Sequence, residues 1–183
     1  GPRSAELYAY AVLRRDPKRA DSLAKALDRL HSHVKTCPVT FALIDSSEEI
    51  SELYSDQSRN KQLVCVVEEP LDIVAIEKTG QYSGTYHVLG GAISPIDGVG
   101  PEQLHTPELV KRIKNDDVKE VIIATNASVE GESTALFLQR SIQEASLSPI
   151  MSRLARGIPV GVDLEYAHQI TLTHALEDRR TLS

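Results

Sequence analysis

Four glutamates follow two apolar stretches of the chain: Glu68, Glu69, Glu130 and Glu132. The first two come directly after residues 63–67, and the other two come shortly after residues 118–124. A Mg²⁺ ion that acts on phosphates needs several carboxylate oxygens at one site, and acids at strand ends are candidates for this chemistry. The residues between that stretch and Glu130 include Asn126 and Ser128, which carry no charge. Asn126 and Ser128 therefore add no anionic ligand to such a site.

The acids after the first stretch have a second interpretation. Glu68, Glu69 and Asp72 precede a predicted helix, and the N-terminal end of a helix favours negative charge. They either cap that helix or contact a partner, and the sequence leaves both roles open.

Residues 66–72 and 124–132, which contain the ends of the two apolar stretches and the acids after them, resemble the Toprim fold. This domain is shared by primases, topoisomerases and some nucleases. In this resemblance Glu68 keeps the acid of the first strand, whereas Asn126 and Ser128 stand where catalytic members have Asp-x-Asp. The alternative function that this leaves is a fragment of a Mg²⁺-dependent Toprim nuclease or primase. The two neutral residues disfavour it, because they cannot replace two anionic ligands. The resemblance therefore implies no two-metal centre for phosphoryl transfer and no enzymatic activity.

Three longer stretches resemble the RecR family of bacterial recombination mediators. The loop at residues 89–101 reads Leu-Gly-Gly-Ala-Ile-Ser-Pro-Ile-Asp-Gly-Val-Gly-Pro, residues 126–132 read Asn-Ala-Ser-Val-Glu-Gly-Glu, and residues 153–167 read Arg-Leu-Ala-Arg-Gly-Ile-Pro-Val-Gly-Val-Asp-Leu-Glu-Tyr-Ala. The resemblance covers about residues 63–182 and continues more weakly to the first residue. It implies a non-catalytic DNA clamp that acts with RecO and RecF on gapped DNA.

The same resemblance implies a division of surfaces. The chain would self-associate into dimers or tetramers, with residues 154–183 in subunit contacts. The acidic Toprim face would meet RecO, because an acidic surface suits a basic partner. Its residues would be Glu68, Glu69, Glu130 and Glu132, together with the loop at 90–100.

Positive charge is concentrated at the N-terminus. Residues 1–36 hold eight Lys or Arg and four Asp or Glu, although the whole chain has a formal net charge of −6. Residues 1–5 resemble the second half of a helix-hairpin-helix, a DNA-binding fold whose first helix would lie upstream, so the chain is expected to be N-terminally truncated. The predicted DNA contacts are Arg3, Arg14, Arg15, Lys18 and Arg19. The family has a further basic residue where this chain has Leu7, and a binding module without any DNA role is the remaining alternative.

The segment at residues 37–62 departs most from the family, whose members usually hold zinc there with two Cys-x-x-Cys pairs. The four corresponding positions are Cys37, Thr40, Ser51 and Tyr54. Since one thiolate cannot hold structural zinc, we expect no metal and no other cofactor. We predict an apolar cluster in the place of the ion, formed by Phe41, Leu43, Ile50, Leu53 and Tyr54.

Apolar periodicity indicates which elements position these residues. Helices are predicted at 4–13, with Ser4 as N-cap, after Asp16-Pro17, and near 71–78, 107–114, 129–145 and 172–177. Strands are predicted at 63–67, 86–89, 118–124 and 149–154, an alternation typical of an α/β fold with a mainly parallel sheet. We divide the chain into a helical unit (1–36), a degenerate finger (37–62), a Toprim domain (63–153) and a C-terminal segment (154–183).

Other residues limit the remaining functions. No stretch of about 18 apolar residues and no signal peptide is present, so we expect a cytoplasmic protein without membrane contact. Cys37 and Cys65 are not expected to form a disulfide. His87 lies in a predicted strand without a partner nucleophile, and it is expected to be a packed residue rather than a catalytic base.

Overall fold

The fold is described by a computed structural model for residues 1–179, which form helices around one four-stranded sheet and a short hairpin. In chain order the elements are α1 (Pro2–Leu13), α2 (Pro17–His33), β1 (Val34–Thr36), β2 (Leu43–Asp45), α3 (Glu52–Ser55), β3 (Asn60–Val67), α4 (Pro70–Glu77), β4 (Gly84–Val88), α5 (Thr106–Asn115), β5 (Glu120–Ala124), α6 (Val129–Glu144), β6 (Ile150–Arg153) and α7 (Gln169–Glu177). Single turns of 3₁₀-helix lie at Pro101–Gln103 and Leu164–Tyr166.

The four-stranded sheet has the order β4-β3-β5-β6, and all its strands are parallel. Val66 of the central strand β3 pairs with His87 of β4 on one side and with Ile123 of β5 on the other. This confirms the predicted α/β fold. Because the carboxyl ends of parallel strands meet at one edge, the residues that follow β3, β4 and β5 are brought together there.

Alternate residues of β3 face the two sides of the sheet, as the period of a strand requires. Val64 and Val66 pack with Leu109 of α5 and Leu138 of α6 on one face. The opposite face holds a second cluster that includes Cys65, Val67, Ile73, Tyr86 and Val88. Each fully buried aliphatic side chain contributes about 1.5–3 kcal/mol, so these two layers fix the Toprim body.

The N-terminal helices lie apart from this core, since no residue of α1 or α2 is buried. Helix α1 begins at Pro2, with Gly1 as N-cap, and not after Ser4 as predicted. Proline is favoured at the first helical position because it lacks the amide hydrogen that would otherwise be unsatisfied there. The predicted cap of α2 is confirmed, because the carboxylate of Asp16 accepts a hydrogen bond from the backbone N–H of Lys18 at 2.9 Å.

The longest helix, α2, has 17 residues. No helix within residues 1–179 combines the length and the apolar character that a membrane crossing requires.

The segment after α2 forms a hairpin and one helical turn. β1 pairs antiparallel with β2, and Lys35 lies opposite Ile44. The segment is joined to the Toprim sheet at β4, an edge strand, where the backbone N–H of Val88 donates to the carbonyl of Thr40 at 2.8 Å. The finger thus covers part of a strand edge that would otherwise expose unpaired backbone groups.

Candidate functional site

The carboxyl edge of the sheet is organised around the carboxylate of Glu68. This residue follows β3, is 7% exposed, and accepts hydrogen bonds from the backbone N–H of Asn126 at 2.8 Å and from its side-chain amide at 2.5 Å. A buried carboxylate is stable only when such donors replace water. The amide of Asn126 therefore satisfies Glu68 internally.

Close packing at the start of α6 supports this arrangement. A Cβ atom on Gly131 would lie 2.1 Å from the carbonyl oxygen of Asn126 and 3.1 Å from Oε1 of Glu68, so only glycine fits there. The hydroxyl of Ser128 caps α6 by accepting a hydrogen bond from the N–H of Gly131 at 3.1 Å. The two neutral positions of the acidic motif thus hold the backbone of the strand-to-helix turn.

The remaining acids at this edge have separate environments. Glu69 is exposed at the start of α4, and its N–H donates to the carboxylate of Asp72 at 2.8 Å. Asp72 therefore has the capping role that the sequence left open. Glu130 is partly exposed in the first turn of α6. Within residues 1–179, no three His, Cys, Asp or Glu side chains come together as a metal-ligand set.

Glu132 is paired rather than free. Its carboxylate accepts hydrogen bonds from Arg153, at 2.7 and 2.9 Å, and from Arg156. These ion pairs fasten the beginning of the C-terminal segment to α6. A cavity of about 670 Å³ lies beside them, lined by residues that include Asn126, Ser128, Glu132, Arg156 and His174.

The structure thus brings the four predicted partner-binding glutamates to one edge but leaves them unequally accessible. Glu68 is buried, Glu132 is paired with two arginines, Glu69 is exposed and Glu130 is partly exposed. A contact of this edge with a partner protein remains a prediction, in which the exposed pair would meet the partner directly.

The predicted DNA-binding side chains are all exposed, and they form two groups. Arg14, Arg15, Lys18 and Arg19 surround the connection between α1 and α2. Arg3 lies at the opposite end of α1, on the order of 16 Å away for eleven residues of helix. The guanidinium of Arg14 lies 5.6 Å from the centre of the Tyr10 ring, which keeps it near the helix surface.

Three of the four positions that the resemblance matches to zinc ligands gather around one sulfur atom. The Sγ atom of Cys37 accepts hydrogen bonds from the backbone N–H groups of Thr40 and Ser51, each at 3.4 Å, and all three residues are buried. Burial raises the pKa of the Cys37 thiol, but the hydrogen bonds from Thr40, Val39 and Ser51 outweigh it and leave the pKa below its usual value.

Tyr54, the fourth position, turns towards α5 instead. Its hydroxyl donates to the carboxylate of Asp116 at 3.0 Å, and Arg112 lies 5.0 Å from the centre of its ring. Arg112 is itself buried, and it donates to the carbonyl of Tyr86 at 2.5 Å. The contacts among Tyr54, Asp116, Arg112 and Tyr86 therefore fasten the finger to the edge strand β4.

The predicted apolar cluster in the finger is therefore wrong in its membership. Leu43 is 56% exposed, and Tyr54 is held by polar partners. Leu53 packs on the sheet, and Phe41 stacks on the ring of His105 with the ring centres 3.8 Å apart. Hydrogen bonds to the Cys37 sulfur and the contacts of Tyr54 with Asp116 and Arg112 organise the finger in place of that cluster.

Sequence reasoning also missed the environment of the histidines. His87 is fully buried, and its Nε2 lies 2.8 Å from the carbonyl oxygen of His105, so that nitrogen is the protonated one. Burial lowers the pKa of His87 to about 3. The expected packed role of His87 agrees with these contacts. The only sequence signal for them was the position of His87 in an apolar strand.

Comparison with known proteins covers the whole chain. The Toprim domain family matches residues 62–150, and the RecR C-terminal family matches residues 157–180. Recombination protein RecR of Heliobacterium modesticaldum is 47% identical over 182 residues, which is 100% of this chain and 89% of that protein. The RecR proteins of Cutibacterium acnes and Acidothermus cellulolyticus are 46% and 44% identical, over 98% and 100% of this chain and 87% and 89% of their own lengths. The chain belongs to the RecR family of recombination proteins.

Proposed function

We propose that this chain is a recombination mediator that clamps DNA and acts with RecO and RecF at gaps, without making or breaking bonds. The observation that supports a non-catalytic role most directly is the hydrogen bonding of Asn126 to Glu68. At this edge a Toprim enzyme needs several free carboxylates around Mg²⁺. Here Glu68, the acid that directly follows β3, already accepts hydrogen bonds from the backbone and the side-chain amide of Asn126.

DNA contact is proposed for the basic residues of the N-terminal helices. Their exposed side chains meet the first requirement for phosphate binding, which is a concentration of positive charge on one surface. The four charges at the α1–α2 connection would contact one stretch of backbone, and Arg3 would contact another. The acidic remainder of the chain would stay away from the phosphates.

Partner contact is proposed for the acidic carboxyl edge. Glu69 and Glu130 would meet basic groups of RecO directly, since Glu69 is exposed and Glu130 is partly exposed. Glu68 and Glu132 would contribute indirectly. The first holds the strand-to-helix turn, and the second holds the C-terminal segment. Contact with RecF would follow from the same assembly.

Self-association into dimers or tetramers is proposed from exposed apolar side chains at the two ends of the chain. Contiguous exposed apolar surface commonly marks a protein interface. Such residues lie on α1 and α2 and again in the C-terminal segment, among them Leu7, Leu13, Leu27, Leu30, Val160, Leu164 and Tyr166. A ring built from both ends could enclose DNA.

The mediator would be a cytoplasmic protein without zinc or another cofactor. A finger organised by Cys37, Tyr54 and the β4 edge has other means of holding its shape than a metal ion. Elemental analysis of the purified protein tests this, with zinc well below one equivalent as the expected result. Stoichiometric zinc would contradict it.

A reconstituted loading reaction tests the function. Recombinase is added to gapped DNA covered by single-strand-binding protein, and loading is followed with this chain, RecO and RecF present singly and together. We expect loading to be accelerated only when this chain and RecO are both present, with the DNA intact in Mg²⁺ or Mn²⁺. Metal-dependent cleavage, or loading that is indifferent to this chain, would contradict the proposal.

A further inference from the structure

The connection between β4 and α5 presents a large apolar side chain at the tip of a turn. Ile96 is 94% exposed, more than any other large apolar residue of the Toprim body at residues 60–153, where Val129 and Leu71 follow with 78% and 75%. A single exposed isoleucine is ordinary on a protein surface. The way in which this one is held, and the charges around it, distinguish it.

The turn that carries Ile96 is closed by hydrogen bonds. Ser94 and Val99 form a bridge in which each N–H donates to the carbonyl of the other, at 3.0 and 2.9 Å. The hydroxyl of Ser94 donates to the carboxylate of Asp97 at 2.6 Å, and Gly98 has a φ of 72°, which suits glycine. Pro95 and Ile96 are therefore the fixed corner of the turn, so little conformational entropy remains to be lost on binding.

The base of the same loop is fastened to the acidic edge. The N–H groups of Gly90 and Gly91 both donate to the carbonyl of Glu68 at 3.0 Å. The N–H of Ile93 donates at 2.8 Å to the hydroxyl of Thr134, which in turn donates to the carbonyl of Glu130. The tip thus projects from the edge that carries the exposed glutamates, and it is braced against α6.

The charge of the chain segment that carries the tip favours one kind of partner. Residues 79–110 contain no lysine or arginine, and their three acids are Asp97, Glu102 and Glu108. An apolar side chain that wedges between DNA bases would need neighbouring cations to meet the phosphates, and this loop would repel them. Acidic residues beside an exposed apolar side chain are instead complementary to a partner protein whose apolar pocket has a basic rim.

We propose that Ile96 is an anchor residue that inserts into an apolar, basic-rimmed pocket of a partner protein. The proposal rests on the proposed function in one respect, namely that the acidic edge docks RecO. It assigns the centre of that contact to an apolar residue, with the glutamates as its polar rim. Buried anchors that are rigid before binding commonly dominate the affinity of such interfaces.

Binding of purified RecO to the full chain tests the anchor. We expect Ile96→Ala to weaken the dissociation constant by roughly tenfold or more, and Ile96→Asp to weaken it further. Leu136→Ala is the matched control, because this aliphatic side chain is exposed on α6 and should change the constant by less than about twofold. Thermal unfolding of each variant shows that the fold is retained.

The outcomes separate the anchor from the docking itself. If both Ile96 variants bind RecO as well as wild type does, the anchor role of Ile96 is overturned, whereas the proposed contact of the acidic edge with RecO is retained. If wild type fails to bind RecO, both are overturned. A loss of DNA affinity in Ile96→Ala with RecO affinity unchanged would also overturn the anchor. It would mean that Ile96 inserts between DNA bases instead.

Discussion

Asn126 determines the character of the carboxyl edge. An aspartate at this position would place two carboxylates side by side, and a cation would be needed to hold them together. The amide instead donates to Glu68, and the same residue supplies a second donor from its backbone. One residue thus turns a potential metal-binding edge into a hydrogen-bonded one.

Replacing Asn126 with alanine should destabilise the fold. The variant leaves the buried carboxylate of Glu68 without its side-chain donor, which costs about 1–3 kcal/mol in the free energy of unfolding. Urea denaturation measures this loss, and Asn115→Ala, at an exposed asparagine on α5, should change stability by less than about 0.5 kcal/mol. Equal stability of the two variants would show that the Glu68 contact contributes little.

His87 predicts a dependence of stability on pH. Burial lowers its pKa to about 3 from the usual 6.5, with the positive charge of Arg112 acting in the same direction. Between these values the unfolded chain binds a proton that the folded chain does not. The contribution of neutral His87 is therefore complete above pH 6.5 and is lost as the pH falls towards 3.

A His87→Gln variant should lose less stability than wild type between pH 6.5 and 4.5. Urea unfolding at several pH values measures both slopes, and His31→Gln, at an exposed histidine of α2, serves as the control with the slope of wild type. Parallel curves for wild type and His87→Gln would mean that this histidine does not titrate as its burial requires.

At the scale of elements, the finger depends on the sheet that it covers. Its buried Ala42 belongs to the cluster on the sheet, and its other contacts with the Toprim domain include Val88, Asp116 and the rings of His87 and His105. The sulfur of Cys37 accepts hydrogen bonds from Thr40 and Ser51, so it links the start of the finger to the residue before α3. The finger and the β4 edge should therefore loosen together.

Tyr54→Phe should loosen the finger without unfolding the Toprim body. The variant removes a hydrogen bond worth about 0.5–1.5 kcal/mol and leaves Asp116 with fewer partners. Hydrogen exchange should accelerate in β2 and at the amide of Val88, whereas the amides of β5 should keep their protection. Tyr166→Phe, at an exposed tyrosine, is the control, and equal exchange in both variants would contradict the proposed anchoring.

Local sequence patterns predicted most of the helices and strands, because apolar periodicity and capping residues lie within the element that they indicate. The alternation of apolar strands with helices of regular period identified the parallel sheet, and Asp16-Pro17 identified the start of α2. Resemblance placed Glu68 and Asn126 at one edge. The link between Tyr54 and Asp116 spans 62 residues, and the ion pairs of Glu132 with Arg153 and Arg156 depend on how the C-terminal segment lies on α6. No local pattern contains such contacts, since they arise only from packing.

At the scale of the whole molecule, charge separates the chain into two surfaces. Residues 1–36 are basic, whereas the remainder holds 22 acids against 12 Lys and Arg. No residue of α1 or α2 is fully buried within the chain, and the acidic edge carries the projecting tip of Ile96. Such a division suits a protein that stands between a nucleic acid and a protein partner.

The salt dependence of DNA binding tests the central claim that the basic helices contact DNA. Affinity for gapped DNA is measured from about 50 to 200 mM salt for wild type and for a variant with Arg14, Arg15, Lys18 and Arg19 changed to Ala. The control removes four exposed charges elsewhere, at Lys78, Lys111, Lys114 and Arg140. We predict that the slope of log affinity against log salt falls by roughly one for each lost phosphate contact in the first variant, and stays near that of wild type in the control. An unchanged slope in the first variant, or no DNA binding by wild type with RecO present, would contradict the account.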